Sequence, residues 1–264
     1  MPEQLNSADS TRSPPLRVGL FVTCLADLFR PSVGFSSITL LQRAGCEVFV
    51  PKNQTCCGQP AYSTGDYAST EPLAKQLIER FETYDYLVVP SGSCAGMISH
   101  HYPKLLHGEW RTRAEQLALK TFELTAFLND IVKLQRGSDA PVQLPPVTYH
   151  DGCAGMREMG VKQQPRELLQ GLCSVELREL QQPEVCCGFG GTFCTKMPAI
   201  SGKMVNDKLT SALNTKATIL TGGDLGCLMN IAGRAHRLGE DIEVRHIAEL
   251  LAGDLDGPGI GDAK

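Results

Sequence analysis

Gln54-Thr55-Cys56-Cys57-Gly58-Gln59-Pro60 and Cys186-Cys187-Gly188-Phe189-Gly190-Gly191-Thr192-Phe193 share a Cys-Cys-Gly triplet, and the two triplets stand 130 residues apart. Each triplet lies between two lone cysteines. The first set is Cys24, Cys56-Cys57-Gly58 and Cys94, with 31 and 36 residues in the gaps. The second is Cys153, Cys186-Cys187-Gly188 and Cys227, with gaps of 32 and 39. Corresponding positions are offset by 129, 130 and 133 residues, so the 264-residue chain is an internal duplication. Eight of its eleven cysteines belong to this repeat.

The elements around the cysteines repeat as well. Arg17 to Thr23 is an apolar, β-rich run ending at Cys24, and Val147 to Gly152 leads in the same way to Cys153. A helix follows in copy one, with Val33, Ile38 and Leu41 on one side and Gly45 as its stop. A short strand, Glu47 to Val50, enters the first triplet, and Val175 to Leu177 matches it before the second. Beyond the triplets the spacing predicts helices carrying Leu73, Leu77, Ile78 and Phe81, with Pro72 in the first turn, and Ile200, Met204, Leu209 and Leu213. Buried strands Tyr86 to Val89 and Ala217 to Leu220 then run into Ser91-Gly92-Ser93-Cys94 and Gly222 to Cys227. Even the closing segments echo each other, Leu124 to Leu128 against His246 to Leu250. Strands alternating with helices predict an α/β fold: two duplicated Rossmann-like lobes with parallel sheets, related by a pseudo-two-fold axis. In such sheets ligands sit beyond the carboxyl ends of the strands, which is where the cysteines fall. The expected divisions are a disordered tail over 1–15, lobes over 16–134 and 147–252, a Pro/Gly/Ser-rich linker from Gln135 to Pro146, and a flexible tail over 253–264.

A net charge of −4 gives no nucleic-acid footprint. The apolar runs are strand-sized, far short of the ~20 residues that span a bilayer. Met1 to Pro15 is polar and Ser/Pro-rich, without the basic and apolar regions of a secretory signal. The expectation is a cytoplasmic protein with reduced thiols, in which metal binding or redox chemistry outranks a disulfide framework.

Thiolates are soft ligands suited to iron–sulfur clusters and zinc. Adjacent cysteines do not form the C-x-x-C knuckle that chelates one tetrahedral ion, and no C-x-x-C occurs here. Vicinal thiolates on a turn instead suit a polynuclear centre, and Gly58 and Gly188 supply the permissive backbone. The chain has no P-loop, and Gly188-Phe189-Gly190-Gly191 does not open a helix as a dinucleotide fingerprint does. Cys46 and Cys173 lie outside the repeat and read as small buried hydrophobes. Cys194 stands as either an extra ligand or a redox thiol. His150 stands as a donor to a cluster sulfur, as part of a carboxylate clamp with Arg157 or Lys196, or as a turn histidine. His246 reads as a helix cap, and His100, His101 and His107 as solvated.

The doubled Cys, Cys-Cys-Gly, Cys pattern resembles the cysteine-rich CCG-domain family over residues 17 to 251. Members include the cysteine-rich component of heterodisulfide reductase, the iron–sulfur subunit of glycolate oxidase and the lactate utilization protein A group. Pro90-Ser91-Gly92-Ser93-Cys94 and the two triplet stretches look most like the last of these. The resemblance implies one or two iron–sulfur clusters of the [4Fe–4S] kind. Their ligands would be Cys153, Cys186, Cys187 and Cys227, holding the more active cluster, and Cys24, Cys56, Cys57 and Cys94. It implies electron transfer in oxidising L-lactate to pyruvate, with sister subunits supplying further redox carriers. The family's final motif is often C-x-x-C, but Met97 and Asn230 stand three places after Cys94 and Cys227, leaving four cysteines per site. That departure counts against a five-thiolate cluster. A Cys₄ zinc site in one lobe, a zinc-stabilised interaction module and a thiol–disulfide redox subunit remain the alternatives.

Overall fold

In a computed structural model, residues 14–138 and 140–262 are described. Most of the N-terminal tail, residues 1–13, lies outside them.

The first lobe runs β1 (Arg17–Leu20), α1 (Cys24–Phe29), α2 (Ser32–Arg43), β2 (Glu47–Phe49), α3 (Gln59–Tyr62), α4 (Tyr67–Phe81) and β3 (Tyr86–Val89). It continues through α5 (Gly92–Gly96), a widened π turn (Met97–His101), α6 (Tyr102–Leu105), α7 (Gly108–Ala118), β4 (Thr121–Glu123) and α8 (Leu124–Ala126). Its sheet has the order β2-β1-β3-β4, all parallel, with Val18 opposite Val48 and Tyr86. Val18 and Leu20 in β1, and Leu87, Val88 and Val89 in β3, are buried, as expected of parallel strands covered on both faces.

The second lobe runs β5 (Val142–Gln143), β6 (Val147–His150), α9 (Cys153–Arg157), α10 (Gln164–Leu172), β7 (Cys173–Ser174) and α11 (Phe193–Lys196). Then come α12 (Pro198–Asn214), β8 (Ile219–Gly222), α13 (Leu225–Leu238), β9 (Glu243–His246) and α14 (Ile247–Ala252). The order β6-β8-β9 repeats β1-β3-β4, again parallel. The strand expected over Val175 to Leu177 shrinks to a single bridge, Leu177 to Val147. The chain around it pairs instead through β7 with β5, which lies inside the expected linker.

The lobes share one core. Val18, Leu20, Leu40, Leu41, Leu124 and Phe127 join Val147, Tyr149, Leu168, Leu169, Ile247 and Leu250 in a continuous buried cluster. Helix α2 packs on α14, and its counterpart α10 packs on α8, so each lobe's closing helix covers the other lobe's first long helix. Cys46 and Cys173 are buried in this shared core, as read from the sequence.

Three local expectations change. Helix α4 begins before Pro72, because Asp66 caps it by accepting the Ser69 N–H at 3.1 Å. Helix α12 turns Ser201, Val205, Lys208, Leu209 and Ala212 inward and leaves Ile200 exposed. In the C-terminal segment expected to be flexible, Ile260 is buried and donates its N–H to the Val244 carbonyl at 2.7 Å. No helix among the described residues is long and apolar enough to cross a membrane.

Candidate metal centres

All eight repeated cysteines lie beyond the carboxyl ends of the parallel strands or on the turns beside them. In lobe one, Cys24 opens α1 directly after β1, while Cys94 lies in α5 after β3 and has its N–H capped by Ser91 Oγ at 3.2 Å. Cys56 and Cys57 enter α3 through Gly58. Cys153 opens α9 after β6, Cys227 lies in α13 after β8, and Cys186-Cys187-Gly188 completes lobe two.

Both triplet glycines have φ near +84°, at 84° and 83°. A side chain at Gly58 would meet Thr70 of α4 at 2.9 Å, and one at Gly188 would meet the Ser201 carbonyl of α12 at 2.8 Å. Only glycine fits both the left-handed backbone and the close helix. The turn aims each glycine N–H at the sulfur two residues earlier: Gly58 to Cys56 Sγ and Gly188 to Cys186 Sγ, both 3.4 Å. Cys57 Sγ stands 3.4 Å from Cys94 Sγ.

Within each set the first triplet sulfur accepts from its neighbours, and the second triplet sulfur also donates onward, Cys57 to Cys94 and Cys187 to Cys227. Hydrogen bonds from Cys24 and Cys57 hold the Cys56 thiol down to about 3, with the Gly58 N–H adding to the effect. The donors Cys24 and Cys57 are pushed up by those same bonds and by burial. In lobe two Cys186 is held down to about 2 by Cys153 and Cys187, which are pushed up in turn. A thiolate is the form that binds metal, and in each set the first triplet sulfur is the one whose pKa is lowered. Four converging soft donors with backbone N–H groups aimed at sulfur fit an iron–sulfur cluster, and the donor number also fits zinc.

The two sets face each other. A cavity of about 300 Å³ between the lobes is lined by Cys24, Cys56, Cys57 and Cys94 from one side and Cys153 and Cys227 from the other. Asp224 closes its floor across the lobe boundary, accepting from Ser91 Oγ at 2.7 Å, Ser93 Oγ at 2.7 Å and Ser93 N at 3.1 Å. Burial raises its carboxyl pKa despite these donors. Beside it the backbones nearly touch: a side chain at Gly92 would lie 2.5 Å from Gly155 Cα.

Several of these residues carry no clear mark in the sequence. Asp224 occupies the place of Ser91 in copy one, and that mismatch just before a repeated cysteine is the available signal. Lys208 sits in an apolar helical register, yet its ammonium is buried and donates to the carbonyls of Gln182 (3.1 Å) and Pro183 (3.2 Å). Burial lowers its pKa. Arg166 clamps Asp151 through two bonds of 2.9 Å and also pairs with Glu179, fixing the loop before Cys153.

The histidines follow their expected roles only in part. His150 is buried at the end of β6, and neither ring nitrogen makes a hydrogen bond among the described residues, so it forms no clamp with Arg157 or Lys196. Burial lowers its pKa to about 3. His100 and His101 reach Glu158 of lobe two, at 2.7 Å to its carbonyl and 3.3 Å to its carboxylate. His246 does cap α14, in a capping box with Glu249. Cys194 Sγ donates to the Gly191 carbonyl at 3.2 Å. Asn230 turns away from the sulfurs and donates to the Cys187 carbonyl at 2.9 Å, while Met97 is buried in the lobe-one core.

The profile of the CCG cysteine-rich domain matches residues 18–99 and 147–232, one match in each lobe. Lactate utilization protein A of Halalkalibacterium halodurans is 46% identical over 238 residues, covering 89% of this chain and 96% of that protein. Lactate utilization protein A of Bacillus thuringiensis is 45% identical over 239 residues, covering 89% and 98%. Among solved structures, a hypothetical protein from Helicobacter pylori superposes with a TM-score of 0.64 at 11% identity. That likeness covers 95% of this chain but about half, 53%, of the Helicobacter chain, and it speaks for the fold alone. With a domain match in each lobe and full-length relatives at this identity, the chain belongs to the CCG cysteine-rich domain family.

Proposed function

We propose that this chain is an iron–sulfur electron-transfer subunit of a lactate utilization system, working in the cytoplasm with sister subunits that oxidise L-lactate to pyruvate. The observation that carries the reading is one cavity between the lobes at which the four repeated thiols of lobe one meet Cys153 and Cys227 of lobe two. The names of the full-length relatives support the lactate assignment. The thiols are all free, which suits a reducing compartment and metal ligation.

An iron–sulfur cluster supplies one-electron chemistry when bound. Cys24, Cys56, Cys57 and Cys94 would hold one such group, and Cys153, Cys186, Cys187 and Cys227 another. The Gly58 and Gly188 N–H groups donate to ligand sulfurs, and such bonds tune cluster potential. The Asp224 bridge to Ser91 and Ser93 fixes the separation of the two sets. The shared core does the same from beneath.

The test is iron, zinc and acid-labile sulfide per chain, on protein purified without oxygen, together with its visible spectrum. About four irons and four sulfides per filled site, with colour that bleaches on dithionite, are expected. Stoichiometric zinc without sulfide or colour would overturn the electron-transfer reading in favour of a structural metal module.

A further inference from the structure

His150 is 1% exposed, and both Nδ1 and Nε2 lack a hydrogen-bond partner among the described residues. A buried imidazole left this way has lost its water and gained nothing in exchange, so the site needs something that the protein atoms alone do not supply. One of its ring nitrogens, Cys187 Sγ and Cys227 Sγ all lie within 4.8 Å of one another. Metal–nitrogen and metal–sulfur bonds of about 2.0 and 2.3 Å place ligand atoms roughly 3.5 Å apart around a tetrahedral ion. The three ligand atoms here, all within 4.8 Å, stand close to that spacing.

The backbone holds the ring where it is. His150 pairs with Gly222 at the end of β6, and a side chain on Gly222 would meet the His150 carbonyl at 3.0 Å. Lobe one provides the control. The matching place there is Phe21, which is buried in an apolar cluster with Cys57 and offers no donor.

We infer that His150 supplies an imidazole nitrogen to the lobe-two metal centre beside Cys187 and Cys227. The lobe-two centre is then mixed nitrogen and sulfur, whereas the lobe-one centre has sulfur donors only. Neutral imidazole suits iron and zinc alike, so the assignment does not depend on which is bound. It does rest on the reading of lobe two as a metal site.

The experiment is pulsed electron paramagnetic resonance on the full chain, purified without oxygen, reduced with dithionite, and carrying histidine labelled with nitrogen-15. Iron and sulfide are counted on the same sample. The expected result is a strong coupling from one directly bound histidine nitrogen. It should be lost in His150→Phe, which installs the lobe-one residue, and lost in His150→Cys, which offers sulfur in its place. A cluster-loaded wild-type chain without a bound nitrogen overturns the inference and leaves the electron-transfer reading standing. So does a coupling that survives His150→Phe. If the chain holds zinc and no sulfide, the electron-transfer reading fails instead, and X-ray absorption at the zinc edge then decides for His150. A nitrogen in the zinc shell that disappears in His150→Phe upholds it, and an all-sulfur shell overturns it. A chain with no bound metal overturns both.

Discussion

Lobe one and lobe two set the same four thiols at matching strand ends, and they differ in the polarity of what lies behind. The buried faces of α4 and α12 correspond residue for residue: Thr70, Ala74, Leu77, Ile78 and Phe81 against Ser201, Val205, Lys208, Leu209 and Ala212. In that register a leucine faces a lysine. Phe21 in lobe one matches His150, and Met97 matches Asn230. Three apolar places in one lobe are thus polar in the other, while the glycine turns keep the same geometry to within a degree of φ. The scaffold that gathers the sulfurs is therefore separable from the environment that tunes them. Backbone geometry and the Gly58 and Gly188 contacts do the first, and a few side chains behind the site do the second.

The harshest challenge to that view is to remove one buried sulfur from each lobe. Cys57→Ser and Cys187→Ser should each strip the metal from their own lobe and leave the other filled, so that metal per chain falls to about half. Metal analysis of the two variants reads this directly. Loss of all metal from either substitution would mean that the sets form one joint centre, and the comparison of lobes would collapse.

Next in size is the bridge between them. Asp224→Ala leaves Ser91 and Ser93 without their acceptor in a buried place, and the expected cost is about 3 kcal/mol in denaturant unfolding. Ser91→Ala removes one donor to Asp224 together with the cap on the Cys94 N–H, and about 2 kcal/mol is expected. An Asp224→Ala protein as stable as wild type would show that the shared core alone fixes how the sets face each other.

The cysteine sets, the parallel sheets and the duplication are legible in the sequence because they rest on local signals. A repeated triplet, a strand-sized apolar run and a glycine after vicinal cysteines each carry their meaning within a few residues. What stays hidden is what distant parts of the chain supply. Asp224 looks like an ordinary acidic residue until Ser91 and Ser93 are brought against it, the latter from 131 residues away. Lys208 falls in an apolar helical register with no local sign of a partner, and only the Gln182 and Pro183 carbonyls make its burial tolerable. In α12 the expected inward Ile200 is half exposed in the structure. The exchange of helices between lobes, α2 with α14 and α10 with α8, has no signature within either copy.

The caps of the closing helices titrate in opposite senses. Glu123 caps α8, and burial raises its pKa to about 7. Its folded form thus holds a proton that the unfolded chain releases from about pH 4.5, so stability is lost as pH climbs toward 7, by at most about 3 kcal/mol. His246 caps α14, and burial lowers its pKa from 6.5. Its contribution is present above pH 6.5 and is lost as pH falls below that value. Glu123→Gln should flatten the loss on the alkaline side of this window, as measured by unfolding midpoints across pH, and leave the acid limb in place. A profile unchanged by Glu123→Gln would show that the lobe-one cap is not the group that titrates.

The smallest effect sharpens the comparison most finely. Each lobe anchors the carbonyl of its second triplet cysteine with one side chain: Tyr102 Oη donates to Cys57 O at 2.8 Å, and Asn230 Nδ2 donates to Cys187 O at 2.9 Å. The bonds are alike, but Tyr102 is fully buried and Asn230 is half-buried. Tyr102→Phe keeps the ring and orphans the carbonyl where water cannot follow, and about 1.5 kcal/mol is expected. Asn230→Ala opens room for a water to take over the bond, and about 0.5 kcal/mol is expected. Equal costs would mean that solvent reaches both triplets equally well. The lobe-two site would then owe its polarity to His150 and Lys208 alone, and not to easier entry of water around Asn230.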